Sequence, residues 1–183
     1  MKIKEYQDIA SQIKDLYTLM DKENDKFSKL SGLSCVSTCN GVCCSNKDVA
    51  VPPVDLIPLA LELIAQNNYL QYLTETSDTA CFFFKNGKCS VYQNRATLCR
   101  LFAYSSVYNK NGQKQLSVCS YIKEKNTISI DQDLINQAAN IVDWSAKITN
   151  LLPNWDSSCK PFNQSLRYAL EKILLSYQYE EQG

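Results

Sequence analysis

Residues 35–44 read CVSTCNGVCC, and this stretch governs how the rest of the chain is understood. It spaces Cys35, Cys39, Cys43 and Cys44 as C-x3-C-x3-C-C. Soft thiolates at short, regular intervals are how proteins hold zinc or iron–sulfur clusters, because sulfur donors suit those ions. A helical segment would put Cys35, Cys39 and Cys43 on one face. A loop would instead use Gly41 as the bend that lets the sulfurs converge. Both conformations satisfy the spacing. Adjacent Cys43 and Cys44 can reach different metals or opposite sides of one site. The plainer alternative is a set of buried, inert thiols, since cysteine is among the most buried residue types.

Five more cysteines follow: Cys81, Cys89, Cys99, Cys119 and Cys159. Two Asn-Gly pairs, Asn86-Gly87 and Asn111-Gly112, fall among them. Asn-Gly supplies the positive φ angles of a two-residue hairpin turn. Such turns set Cys89 across from Phe84 and Cys119 across from Tyr104. The expected metal ligands are therefore Cys35, Cys39, Cys43, Cys44, Cys81, Cys89, Cys99 and Cys119, while Cys159 reads as structural. Zinc and a [4Fe–4S] cluster each take four protein ligands, so eight cysteines serve two sites or one site with spare thiols. A site built from four thiolates carries a net charge of about −2 with either occupant, which calls for nearby cations. Arg95, Arg100, Lys85 and Lys88 lie close in sequence. Arg95 and Arg100 are the candidates for contacting a thiolate, cofactor or substrate carboxylate, with a surface ion pair as the ordinary alternative.

Composition narrows the chemistry further. The 183 residues include nine cysteines and no histidine, which excludes Ser-His-Asp and Cys-His catalysis and every imidazole zinc site. Nineteen basic residues balance nineteen acidic ones, and no nucleic-acid partner is expected from so even a charge. A 45% hydrophobic content argues for a folded chain. The start, MKIKEYQD, has charges of both signs and no apolar run, unlike a secretory signal. The most apolar stretch, residues 49–65, contains Asp55, Glu62 and three prolines, so no membrane span is expected. Reduced thiols and an odd cysteine count point to the cytoplasm.

Helical periodicity frames the cysteines. Ile3, Tyr6, Ala10, Ile13, Tyr17 and Met20 mark an amphipathic helix over the first thirty residues, ended at Gly32. Its apolar face serves to pack on the domain or on a protein partner. Asp55 is expected to cap a helix running to Gln66, with Pro58 in its first turn. Further helices are expected from Asp131 to about Leu151 and from Phe162 to about Tyr179. The fold class that follows is mainly α with small β-hairpins: an irregular α+β helical bundle around a cysteine-rich metal-binding core. The expected organisation is an N-terminal helix at 1–31, a cysteine-cluster region at 32–125 and a C-terminal helical pair at 126–183.

Several blocks together resemble the CxxCxxCC family of zinc- or iron-chelating cysteine-cluster proteins. They are Cys35, Cys39 and Cys43-Cys44; Cys81-Phe82; the GKCSVY block at 87–92; Arg95; and Cys99-Arg100-Leu101-Phe102. The chain departs from the family pattern in having three residues in each early gap, and Ala96 and Ala103 where prolines are usual. The resemblance implies zinc or an iron–sulfur cluster as cofactor, with iron–sulfur ahead. One branch is similar to flagellin lysine N-methylase, which implies an alternative role as an enzyme using the cluster in methyl or electron transfer.

Overall fold

The computed structural model describes residues 1–35, 41–74, 80–125 and 129–181. Helix α1 spans Ile3–Ser31, and the six apolar residues of the expected stripe are all buried. It stops at Gly32, whose φ of 71° is left-handed and whose N–H closes on the Ser28 carbonyl at 2.9 Å. After the one-turn helix α2 (Val42–Ser45) and short strand β1 (Ala50–Val51), a 3-10 turn at Pro53–Leu56 leads into α3 (Ile57–Ala65). Pro58 falls in the first turn of α3, where its missing N–H is harmless.

Asp55 does not cap that helix. It is buried, and its carboxylate instead reaches α5 (Thr97–Leu101), accepting the Thr97 N–H at 2.8 Å and the Thr97 hydroxyl at 3.2 Å. The aspartate thus satisfies a free N–H at the start of a helix 42 positions away. A cap expected to be local is supplied across the fold.

Helix α4 (Leu70–Thr74) precedes the first hairpin, formed by β2 (Phe84–Lys85) and β3 (Lys88–Cys89). Phe84 pairs with Cys89 as expected, and Asn86 and Gly87 both have positive φ. The second hairpin, β4 (Tyr104–Tyr108) with β5 (Lys114–Val118), corrects the sequence reading. Tyr104 pairs with Val118, not Cys119. The Asn109 N–H donates to the Gln113 carbonyl at 2.8 Å, closing a loop over Lys110, Asn111 and Gly112. The Asn109 side chain holds that loop by accepting from the N–H groups of Asn111 and Gln113, which moves the register by one position. Only Gly112 takes positive φ there.

After α6 (Ser120–Lys125), the single helix expected from Asp131 is two: α7 (Gln132–Asn136) and α8 (Ile141–Thr149). Asp131 caps the first and Asn140 the second. The break occurs where Ser106 of β4 captures backbone acceptors, its N–H on the Ala139 carbonyl at 2.8 Å and its hydroxyl on the Ala138 carbonyl at 2.9 Å. Strand β6 (Lys160–Pro161) pairs with β1, and α9 (Phe162–Glu181) closes the chain.

Mainly α with small antiparallel hairpins is the architecture observed. The buried centre is apolar, uniting Ile13, Met20, Leu56, Leu59, Leu166 and Ile173 from α1, the 3-10 turn, α3 and α9. The apolar face of α1 is thus covered from within the chain. Cys81 and Cys99 sit partly buried against this core and not at its centre. A smaller cluster gathers Phe27, Leu33, Tyr104 and Ile122, with Cys119 at its margin. Among the described residues, no helix is long and apolar enough to cross a membrane.

Candidate metal centre

Gly41 opens the cysteine turn. At φ 69° it is left-handed, and its carbonyl accepts from Cys44 and Ser45, winding Val42–Ser45 into one helical turn. Gly41 in this conformation excludes a continuous helix through Cys43 and favours the bent alternative. Cys39 lies outside the described residues. The turn brings the Cys43 and Cys44 sulfurs to 3.9 Å.

Two contacts fasten this turn to the first hairpin. The Cys81 N–H donates to the Cys44 carbonyl at 3.2 Å. The Phe84 ring lies so close to Gly41 that a Cβ there would stand 2.5 Å from Cε2. The hairpin then carries Cys89 opposite Phe84, and α5 supplies Cys99.

Cys43, Cys44, Cys81 and Cys99 are linked electrostatically, and the charge of Cys89 acts on Cys81 and Cys99. Cys43 is drawn down to about 6, foremost by the hydrogen bond from Cys44, then by backbone N–H groups and the positive charge of Arg95. Cys44 is driven up by that same shared proton, by burial and by the charges of Cys43, Cys81 and Cys99. Burial pushes Cys81 up to about 11, aided by the charges of Cys89 and Cys43. Cys99 rises to about 12, again chiefly through burial, with Cys81, Asp55, Cys89 and Cys43 adding repulsion. Thiolates that repel one another in a half-buried place are a donor set that a bound cation relieves. Their chemistry fits zinc or iron. Among the described residues, no three cysteine or carboxylate side chains already converge within reach of one ion.

The other expected residues are placed as follows. Exposed Cys35 and partly buried Cys119 line a cleft that also reaches Cys43 and Cys99. The Cys119 carbonyl accepts from Ile122 and Lys123 at the start of α6. Cys159 is exposed, in the segment leading into β6. Arg95 stacks over Tyr92 at 3.5 Å and donates through Nε to the Tyr92 carbonyl. Arg100 is inward, its side chain 4% exposed, bound to Asp21 at 2.5 Å and to the Arg95 and Gln93 carbonyls. The Arg100 guanidinium also lies 4.1 Å over the Tyr17 ring.

Sequence reasoning missed Asp21, Tyr17 and Thr97 as supports of α5. Their periodicity marked Tyr17 only as core. The one available hint was Asp55 itself, an acidic residue inside an otherwise apolar run.

A family model matches residues 34–126, just over half of the chain and all of its cysteines except Cys159. The chain belongs to the CxxCxxCC family. Its model is described as a putative zinc- or iron-chelating domain, and the protein is accordingly a metal-binding one. No curated protein and no solved structure matches the chain. The CxxCxxCC match begins just before Cys35 and ends just after α6, so the long flanking helices α1 and α9 lie outside it.

Proposed function

We propose that the protein holds one metal centre, a [4Fe–4S] cluster in preference to zinc, where α2, the first hairpin and α5 meet. Cys43, Cys81, Cys89 and Cys99 are the proposed ligands, with Cys44 and Cys39 as the alternates nearest in sequence. The observation that carries the reading is the fastening of Cys81 to the Cys43–Cys44 turn, through its N–H on the Cys44 carbonyl at 3.2 Å, with Cys99 acting electrostatically on Cys44. A cluster whose ligands bind different irons suits sulfurs spread more widely than the roughly 2.3 Å bonds of a single zinc allow. A reducing, cytoplasmic setting fits thiols kept free for metal.

Anaerobic purification with elemental analysis and a visible spectrum tests this. The expected protein is brown, contains about four irons per chain and bleaches with dithionite. A colourless protein with stoichiometric zinc would overturn the cluster and keep the metal site. Absence of both metals after anaerobic isolation and reconstitution would overturn the site itself. Substituting serine at Cys81 or Cys99 should lower metal content, whereas Cys159→Ser should leave it unchanged.

The alternative of an enzyme similar to flagellin lysine N-methylase is favoured by one feature, a cleft of about 960 Å3 reaching Cys43 and Cys99. Calorimetric titration with S-adenosylmethionine tests it: saturable binding supports the methyl-transfer reading, and no heat removes it.

A further inference from the structure

The same cleft is bounded by the second half of α1, α5, the second hairpin and the start of α6. Its volume lies in the range of small-molecule sites. The two arginines lining it stand in opposite states. Arg100 has Nε on the Arg95 carbonyl, Nη1 on Asp21 and Nη2 on the Gln93 carbonyl. Arg95 donates only through Nε, at 3.1 Å to the Tyr92 carbonyl, and neither of its terminal nitrogens has a partner among the described residues. That bond and the 3.5 Å stack on Tyr92 fix the plane of the guanidinium. A fixed guanidinium with two free terminal nitrogens is a preorganised fork for a carboxylate.

We propose that this cleft binds a small monocarboxylate, its carboxylate on the Arg95 fork and its apolar body against Phe102. Phe102 lines the cleft and is 37% exposed, an aromatic surface that the fold does not itself cover. The remaining charges set the ligand class. Asp21 neutralises Arg100, and Asp25 on the lining has no ion pair among the described residues. One available cation in that field suits a single carboxylate and disfavours di- and triphosphates. The competing role for Arg95 is balance of thiolate charge, since it acts on Cys43. The site needs no metal for its recognition, so it stands or falls separately from the metal centre.

The test titrates the purified, metal-replete full chain with phenylacetate, acetate and pyrophosphate, using calorimetry and ring-proton chemical shifts. Saturable phenylacetate binding is expected, weakened at least about tenfold in Arg95→Gln and partly retained in Arg95→Lys. Phe102→Ala should weaken phenylacetate while leaving acetate unaffected. Metal content, measured on every variant, separates the two roles of Arg95. Unchanged phenylacetate affinity in Arg95→Gln would overturn the proposal, as would tighter binding of pyrophosphate or no saturable binding. Loss of metal in Arg95→Gln with ligand binding intact would assign Arg95 to charge balance instead.

Discussion

The Tyr17 hydroxyl donates to the Asp55 carboxylate at 2.8 Å and approaches the Asp55 carbonyl at 2.5 Å, joining α1 to the 3-10 turn inside the protein. Through the other side of its carboxylate, Asp55 holds the first residue of α5. Cys99 and Arg100 lie on that helix, so the orientation of both depends on a carboxylate buried far from them in sequence. Burial and the Asp55 charge together raise the Tyr17 phenol well above its usual range, keeping it a donor.

Asp55 should give stability a pH dependence. Burial lifts its carboxyl to about 6, outweighing the hydrogen bonds from Thr97 and Tyr17 and the nearby charge of Arg100. A raised carboxyl means that the folded state holds the proton more tightly than the unfolded chain. Its stabilising effect is complete below the unfolded value of 3.8 and is lost as pH rises to about 6. The loss is on the order of 3 kcal/mol. Urea midpoints of wild type and Asp55→Asn, compared across this interval, should show the slope only in the wild type. Equal slopes would reject the assignment.

Arg100→Lys should destabilise the protein by about 2 kcal/mol or more, because an ammonium cannot span Asp21 and the carbonyls of Arg95 and Gln93. Asp21→Asn keeps an acceptor at a side chain that is 47% exposed and should cost about 1 kcal/mol or less. Denaturant midpoints decide between them, and similar losses for both would refute the distinction.

Gly41 and Gly87 differ in a way that substitution can measure. Both have positive φ, but a Cβ at Gly87 meets open space while one at Gly41 meets Phe84. Gly87→Ala should cost about 1 kcal/mol from backbone strain. Gly41→Ala should cost a further 1–3 kcal/mol or so, part of it recovered by Phe84→Leu. A double-mutant cycle showing no coupling would mean that the hairpin does not clasp the cysteine turn.

Asn109→Ala removes acceptors from two N–H groups in the second hairpin and should cost about 1–2 kcal/mol. Amide exchange in β4 and β5 should accelerate while that in α9 stays slow. Uniform acceleration would contradict a local role for the Asn109 side chain.

The two hairpins show where sequence reading succeeds and where it stops. Around Asn86-Gly87, both residues take positive φ and the turn forms as its residues dictate. Around Asn111-Gly112, Asn109 offers its own oxygen to the backbone, and the register moves by one residue. The C-terminal region is similar: apolar periodicity runs through residues 131–151, yet Ser106 and the Asn140 cap divide the helix. The cysteine spacing announced a metal-binding family, while the distribution of Cys35, Cys119 and Cys159 around the fold was not legible in it.

By itself, the sequence determined α1, α9 and the first hairpin, because these depend on neighbours within a helical turn or a tight loop. The tertiary structure alone decided that the Cys81 N–H meets the Cys44 carbonyl, that Phe84 lies against Gly41 and that Asp55 serves α5. Such relationships join positions dozens of residues apart. They are fixed only when burial of the apolar faces brings those stretches together, after which unpaired polar groups must take whatever partners the packed chain provides.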